Sequence, residues 1–183
     1  VQGHEHPIST FFSGPLRSCA CITTIVCLCV VVLPPLRAVA SENIRVVIAD
    51  GQESVELKAA GGMSLAGAKG GQGASKLVFS RSSLGAKPVR VKAKSFFLQF
   101  RGKQYRGVIE VRKKKNGLLQ VINELDLEDY LKGVIASETP PAWDMEVLKA
   151  QAVTSRTYAL YQKRSAGNRA YHILATVDDQ VYQ

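Results

Sequence analysis

Beyond Cys29 the chain has no cysteine: all four cysteines of the 183 residues are Cys19, Cys21, Cys27 and Cys29. Disulfides and Cys-ligated zinc are therefore excluded downstream. A comfortable membrane span, about 20 apolar residues, is also lacking. The nearest approach is residues 19–33, CACITTIVCLCVVVL, which carries Thr23 and Thr24. A phosphate loop is missing too. Gly62 and Gly67 have the spacing for one, but Ala68 stands where its lysine belongs. Acidic charge is scarce: 15 Asp and Glu face 24 Lys and Arg, a net charge of +9. That excess calls for an anionic partner, whether nucleic acid, a membrane face or an acidic polymer.

What is present begins with a leader. Arg17 precedes the apolar run, Pro34-Pro35 breaks it, and Ala38-Val39-Ala40 supplies small residues where a signal peptidase cuts. The expectation is a signal peptide over 1–40, with a retained N-terminal anchor as the alternative and an extracytoplasmic, secreted working part. Removing 1–40 takes away Arg17, Arg37 and Glu5 and leaves 22 basic against 14 acidic residues, so the basicity belongs to the rest. His4 and His6 lie in the leader and are not read as a metal pair.

Residues 44–49 (IRVVIA) read as a strand ended by a turn at Asp50-Gly51. The stretch 61–75, GGMSLAGAKGGQGAS, reads as a flexible loop or a wide hairpin end. Strands are expected at 77–80, 89–93, 95–100, 105–111 and 118–122, with a hairpin at Asn116-Gly117. Arg90, Lys92 and Lys94 alternate with Val89, Val91 and Ala93, and Arg112–Lys115 tops the hairpin. These bases form either a solvated edge that blocks aggregation or a binding surface.

After Asn123 the apolar period turns helical. Asp126 is a plausible N-cap, Leu127, Leu131, Val134 and Ile135 make a stripe, and Pro140-Pro141 ends the helix. A second helix is expected from about Asp144 to Arg164. Strands first and helices after make an α+β fold: a strand-rich part over 41–122 and a helical core over 123–183.

Glu138 falls on the apolar stripe at the last turn of the first helix. Desolvation and the negative end of the helix dipole would both favour its protonated form, as a general acid needs. Lys149 and Arg156 share a face of the second helix with Ala152, Val153 and Leu160. A cleft wall or an ion pair with an acid such as Glu138 are the two readings. Trp143 either stacks on a sugar or, more commonly, packs between helices.

Tyr130-Leu131-Lys132-Gly133-Val134, then Ser137-Glu138-Thr139-Pro140, Trp143 and Leu148 through Leu160 resemble the hallmark of the SpoIID/LytB domain family. Thr139 and Thr154-Ser155 depart mildly from it. The resemblance implies peptidoglycan work outside the cytoplasm, by a lytic transglycosylase acting on peptide-stripped glycan strands. It puts the catalytic acid on Glu138 and essential cations on Lys149 and Arg156. Ser137, Gln151, Trp143 and Tyr158 are the substrate-binding candidates. No cofactor or metal is expected; some sporulation-branch members hold zinc, and His172 is present here without the cysteines. Nucleic acid is not an expected partner, and a membrane is one only through an uncleaved leader. The alternatives are a LytB-type, non-catalytic enhancer of a cell-wall amidase, and a polyanion binder working through Lys92, Lys94 and Arg112–Lys115. Family members continue beyond the Gln-x-Tyr element, here Gln180-Val181-Tyr182, so a C-terminally truncated domain is expected.

Overall fold

Alternation of apolar and polar residues builds most of the molecule. A computed structural model describes residues 41–66, 73–140, 142–176 and 179–182. The expected leader lies outside them, as do 67–72 of the glycine-rich stretch. Ten strands and two helices follow: β1 Asn43–Gln52, β2 Ser54–Lys58, β3 Met63–Ala66, β4 Lys76–Ser80, β5 Val89–Ala93, β6 Leu98–Phe100, β7 Lys103–Tyr105, β8 Val108–Lys113, β9 Leu119–Asp126, α1 Leu127–Glu138, α2 Met145–Ser165 and β10 Ile173–Leu174. The larger sheet runs β10-β1-β9-β8-β5-β3 and the smaller β4-β2-β6-β7. Every pairing is antiparallel except β1 with β10. The fold is α+β.

One face of the larger sheet is the core. Val46, Val91, Ile109, Val111, Leu119 and Val121 are fully buried on it and join Leu57, Leu98 and Phe100 of the smaller sheet and Tyr130, Leu131 and Val134 of α1. The opposite face carries charge, because residues facing one another across strands share a face. Arg45 lies opposite Glu124, Arg90 opposite Glu110 and Arg112 opposite Gln120.

Several elements differ from their sequence reading. The first strand does not stop at Asp50-Gly51; bulges after Val47 and Ala49 carry it to Gln52. Residues 63–66, read as part of a flexible loop or a wide hairpin end, form β3 against β5. Gly62 makes this possible: at φ +89° its missing Cβ would sit 2.6 Å from the Gly73 carbonyl oxygen. The run 95–100 yields only Leu98–Phe100. The run 105–111 divides in two because the chain crosses between sheets at Gly107, where a Cβ would lie 2.3 Å from the Glu124 carbonyl oxygen. β2 escaped notice, although Val55 and Leu57 alternate with Ser54, Glu56 and Lys58 in the expected pattern.

The helices start where their acids cap them. The Asp126 carboxylate accepts from the Glu128 and Asp129 amides, and the Ser41 hydroxyl, donating at 2.6 Å, is the chief reason its pKa lies below the usual aspartate value. Asp144 caps α2 through the Glu146 amide. β9 runs through the 122/123 boundary and β10 lies within the helical part, so Ser41–Gln183 clusters as one unit. Among the described residues no helix is long and apolar enough to cross a membrane.

Candidate active site

Glu138 ends α1, and both of its oxygens are engaged. The Gln151 side-chain amide on α2 donates to Oε2 at 2.9 Å, and the Val181 backbone N–H donates to Oε1 at 3.0 Å. Three segments distant in sequence therefore converge on one carboxylate. Glu138 is exposed, not desolvated as its place on the stripe implied. The last turn of α1 carries it past the packed part of the helix, whose buried residues are Leu127, Tyr130, Leu131 and Val134.

The Val181 donor is placed by its neighbours. On one side, the Gln180 side chain is buried and accepts from the Tyr130 hydroxyl at 2.8 Å. On the other, Tyr182 packs against Tyr130 and Tyr105, with ring centroids 5.1 and 6.0 Å away. Its hydroxyl donates to Asn123 Oδ1 at 2.8 Å. Asn123, at 0% exposure, donates in turn to the Arg106 and Val108 carbonyls on either side of the Gly107 crossing. No fully buried side-chain polar atom of this node lacks a hydrogen-bond partner, as burial requires. Burial pushes the phenols of Tyr130 and Tyr182 well above the ordinary tyrosine value, so both remain hydrogen-bond donors at physiological pH.

The cations are held elsewhere. Lys149 bonds Glu146 at 2.8 Å, one turn away on the exposed start of α2. Arg156 grips Glu128 with Nε at 3.1 Å and Nη2 at 2.5 Å, an exposed bidentate pair that raises its pKa. Neither pairs with Glu138, so the ion pair considered from the sequence is not formed; Gln151 occupies that position instead. Asp144 is engaged as a cap and Glu146 by Lys149, so neither stands as a second free carboxylate.

Of the substrate-binding candidates, Gln151 is at the acid. The Ser137 hydroxyl turns back to the Gly133 carbonyl at 2.8 Å. Trp143 is 53% exposed in the turn between the helices, so it does not pack between them and its indole is open to a ligand. Tyr158 is bonded to Asp179 and receives the Gln162 amide at 2.7 Å. Burial, then the Asp179 carboxylate, raise its pKa. Asp179 also accepts the Leu174 amide at 2.8 Å, which ties the approach to Gln180 onto β10. Among the described residues no group of three or more His, Cys, Asp and Glu is gathered to hold a metal. The His172 Nδ1 accepts the Arg45 amide at 3.1 Å.

Sequence reasoning missed Tyr130, Asn123, Gln180 and Tyr182 as the set that positions the acid. One signal was available: Asn123 interrupts the apolar run of β9, and an asparagine there is costly unless something buried needs it.

The chain is 47% identical over 68 residues to an uncharacterised protein of Brachyspira hyodysenteriae, covering 37% of this chain and 18% of that one. Uncharacterised proteins of Chlamydia muridarum and Chlamydia pneumoniae are 39% identical over 79 residues and 42% identical over 71 residues. Those matches cover 42% and 39% of this chain but only 27% and 26% of the relatives. The chain thus spans about a quarter or less of the proteins it matches. No solved structure matches it. The segment that holds α1, α2, Glu138 and the Gln180-Val181-Tyr182 element, residues 115–183, matches the SpoIID family, described as "Stage II sporulation protein".

Proposed function

We propose that this chain carries the acid/base element of a peptidoglycan lytic transglycosylase acting on peptide-stripped glycan strands. The SpoIID match supports a cell-wall-related role. The observation that carries the finer reading is the state of Glu138: exposed, oriented at both oxygens, and held only by neutral N–H donors. In the reaction, the protonated carboxyl gives its proton to the glycosidic oxygen as the bond to C1 of N-acetylmuramic acid breaks. The carboxylate then takes the proton of the same sugar's 6-hydroxyl, whose oxygen closes onto C1 to give the 1,6-anhydro product. Glu138 recovers its proton and no water is consumed, so one carboxyl suffices. A hydrolase would need a second at about 5–9.5 Å. Gln151 suits both stages, because its amide can donate to the carboxylate or, turned over, accept from the acid.

One observation favours a second reading, a wall-gripping enhancer of an amidase. Lys149 and Arg156 are tied to Glu146 and Glu128, away from the acid. Digestion of peptide-stripped strands followed by mass spectrometry separates the two. Anhydro-muramic ends support the lyase. Intact strands that still pellet with the protein support the enhancer.

A further inference from the structure

We infer that a second anion-binding cleft, between the β8–β9 hairpin and the loop after α2, holds carboxylates of a sugar polymer. It rests on the reading of the chain as a cell-wall protein. The cleft, of about 590 Å³, is lined by Arg112–Asn116 and Gln120 on one side, by Arg169, Ala170 and Tyr171 on the other, and by Asp50.

The same sheet face supplies its own control. Farther along the strands, Arg45 and Arg90 are matched by Glu110 and Glu124, with Arg45 at 2.9 Å from each acid and Arg90 at 2.9 Å from Glu124 and 3.7 Å from Glu110. Charge there is balanced and structural. In the cleft five cations face one acid, Asp50, whose ion-pair partner is Lys114 at 2.9 Å and which also accepts the Gly51 amide at 2.8 Å. Lys113 donates to the Arg81 carbonyl. Among the described residues Arg112, Lys115 and Arg169 have no carboxylate partner, so within that set their mutual repulsion is not offset.

A solvated, aggregation-blocking edge does not account for this. β8 and β9 are interior strands of their sheet, whose edges are β10 and β3. The cations also converge from two elements instead of fanning outward, and each element is held by its own hydrogen bonds. Lys114 N–H donates to the Leu118 carbonyl at 2.8 Å and Leu118 N–H to Asn116 Oδ1 at 3.1 Å, closing the hairpin. Arg169 is fixed to the Ala166 carbonyl at 3.2 Å, with its guanidinium 5.9 Å from the centre of the Tyr171 ring. Guanidinium groups match carboxylates in a two-pronged geometry, and a half-buried tyrosine face suits a sugar ring. A polymer with one carboxylate per repeat, as a peptide-stripped strand has, fits that lining.

The test is binding, measured by fluorescence anisotropy on the full chain carrying Glu138→Gln, with labelled peptide-stripped strands as the probe. Adding Arg112→Ala, Lys115→Ala and Arg169→Ala together should weaken binding roughly tenfold at low salt and flatten its salt dependence, with no loss of Tm. Strands whose carboxyls have been amidated should bind the Glu138→Gln chain as weakly as native strands bind the triple variant. Undiminished binding by the triple variant overturns the cleft, as does no strand binding at all. Undiminished binding of amidated strands overturns the carboxylate assignment, and equal competition by single-stranded DNA overturns the ligand class. Failure of the wild type to form anhydro ends bears on Glu138 alone, since this assay involves no cutting.

Discussion

Helix α1 holds two exposed carboxylates ten positions apart, and α2 supplies a partner to each. At Glu128 the partner is the Arg156 guanidinium, so the charge is cancelled. At Glu138 the partner is the Gln151 amide, joined by a backbone N–H from Val181, so the charge is oriented but not cancelled. An acid that must take and return a proton has to be aimed without being locked to a permanent cation. The pair shows how one helix hairpin makes a tie of one glutamate and leaves the other open to chemistry.

The sharpest way to break the contrast is Glu138→Gln, which keeps the shape and, with the Gln151 amide turned over, both hydrogen bonds, but cannot carry the proton. Release of anhydro ends should fall by about 10²-fold or more, while thermal unfolding stays within about 0.5 kcal/mol of wild type. Cutting at the wild-type rate would remove Glu138 from its role.

Next comes Tyr182→Ala, which empties the pocket beside Tyr130 and leaves Asn123 Oδ1 without its donor. Unfolding in urea should show a loss of about 3–5 kcal/mol, with activity lost as the Val181 amide loses its anchor. Tyr130→Phe is the finer cut. It removes one hydroxyl and strands the buried Gln180 oxygen, at a cost of about 1–3 kcal/mol. Here kcat should fall with KM little changed, because the acid is misaimed and the strand still binds. A fall in KM-side binding alone would mean that Gln180-Val181-Tyr182 does not position Glu138.

Arg156→Ala tests the other end. Its pair is exposed, so the stability change should stay below about 1 kcal/mol. A collapse of cutting with an unchanged Tm would mean that Arg156 leaves Glu128 when substrate arrives.

The smallest effect concerns pH. Burial, then the Lys163 and Arg45 charges, hold the His172 pKa below the ordinary histidine value, and its Nδ1 accepts the Arg45 amide. The unfolded chain binds this proton at higher pH than the folded one. The stability from the neutral ring is therefore full above the unfolded value and is lost as pH falls through the folded one. The groups facing the ring are Arg45 on β1, Glu124 on β9, Lys163 on α2 and Arg169 in the loop. Wild type should lose Tm on acidification from pH 7 towards 5, and His172→Gln should flatten that slope.

Local rules made much of this legible. Asp126 and Asp144 announced both helix starts, and Asn116-Gly117 announced the hairpin. The hallmark singled out Glu138, the carboxylate on which Gln151 and Val181 converge. Two of the failures share a cause, dependence on something distant in the chain. Gly107 looked like one residue of a strand until Glu124 was seen to lie against it. Arg90 looked like part of a solvated edge or of a binding surface until β8 and β9 brought Glu110 and Glu124 beside it. Trp143 looked like packing, but the turn holds it out.

By itself the sequence determined the periodicities, the caps, the missing cysteines and the family hallmark, because each depends on residues within a turn or two of one another. The tertiary structure alone decided who stands opposite whom. It placed Gln151 and Val181 at Glu138, gave Arg156 to Glu128 and gathered five cations around one acid in a single cleft. Partnership of that kind depends on contacts between residues tens of positions apart, which helical or strand spacing cannot encode.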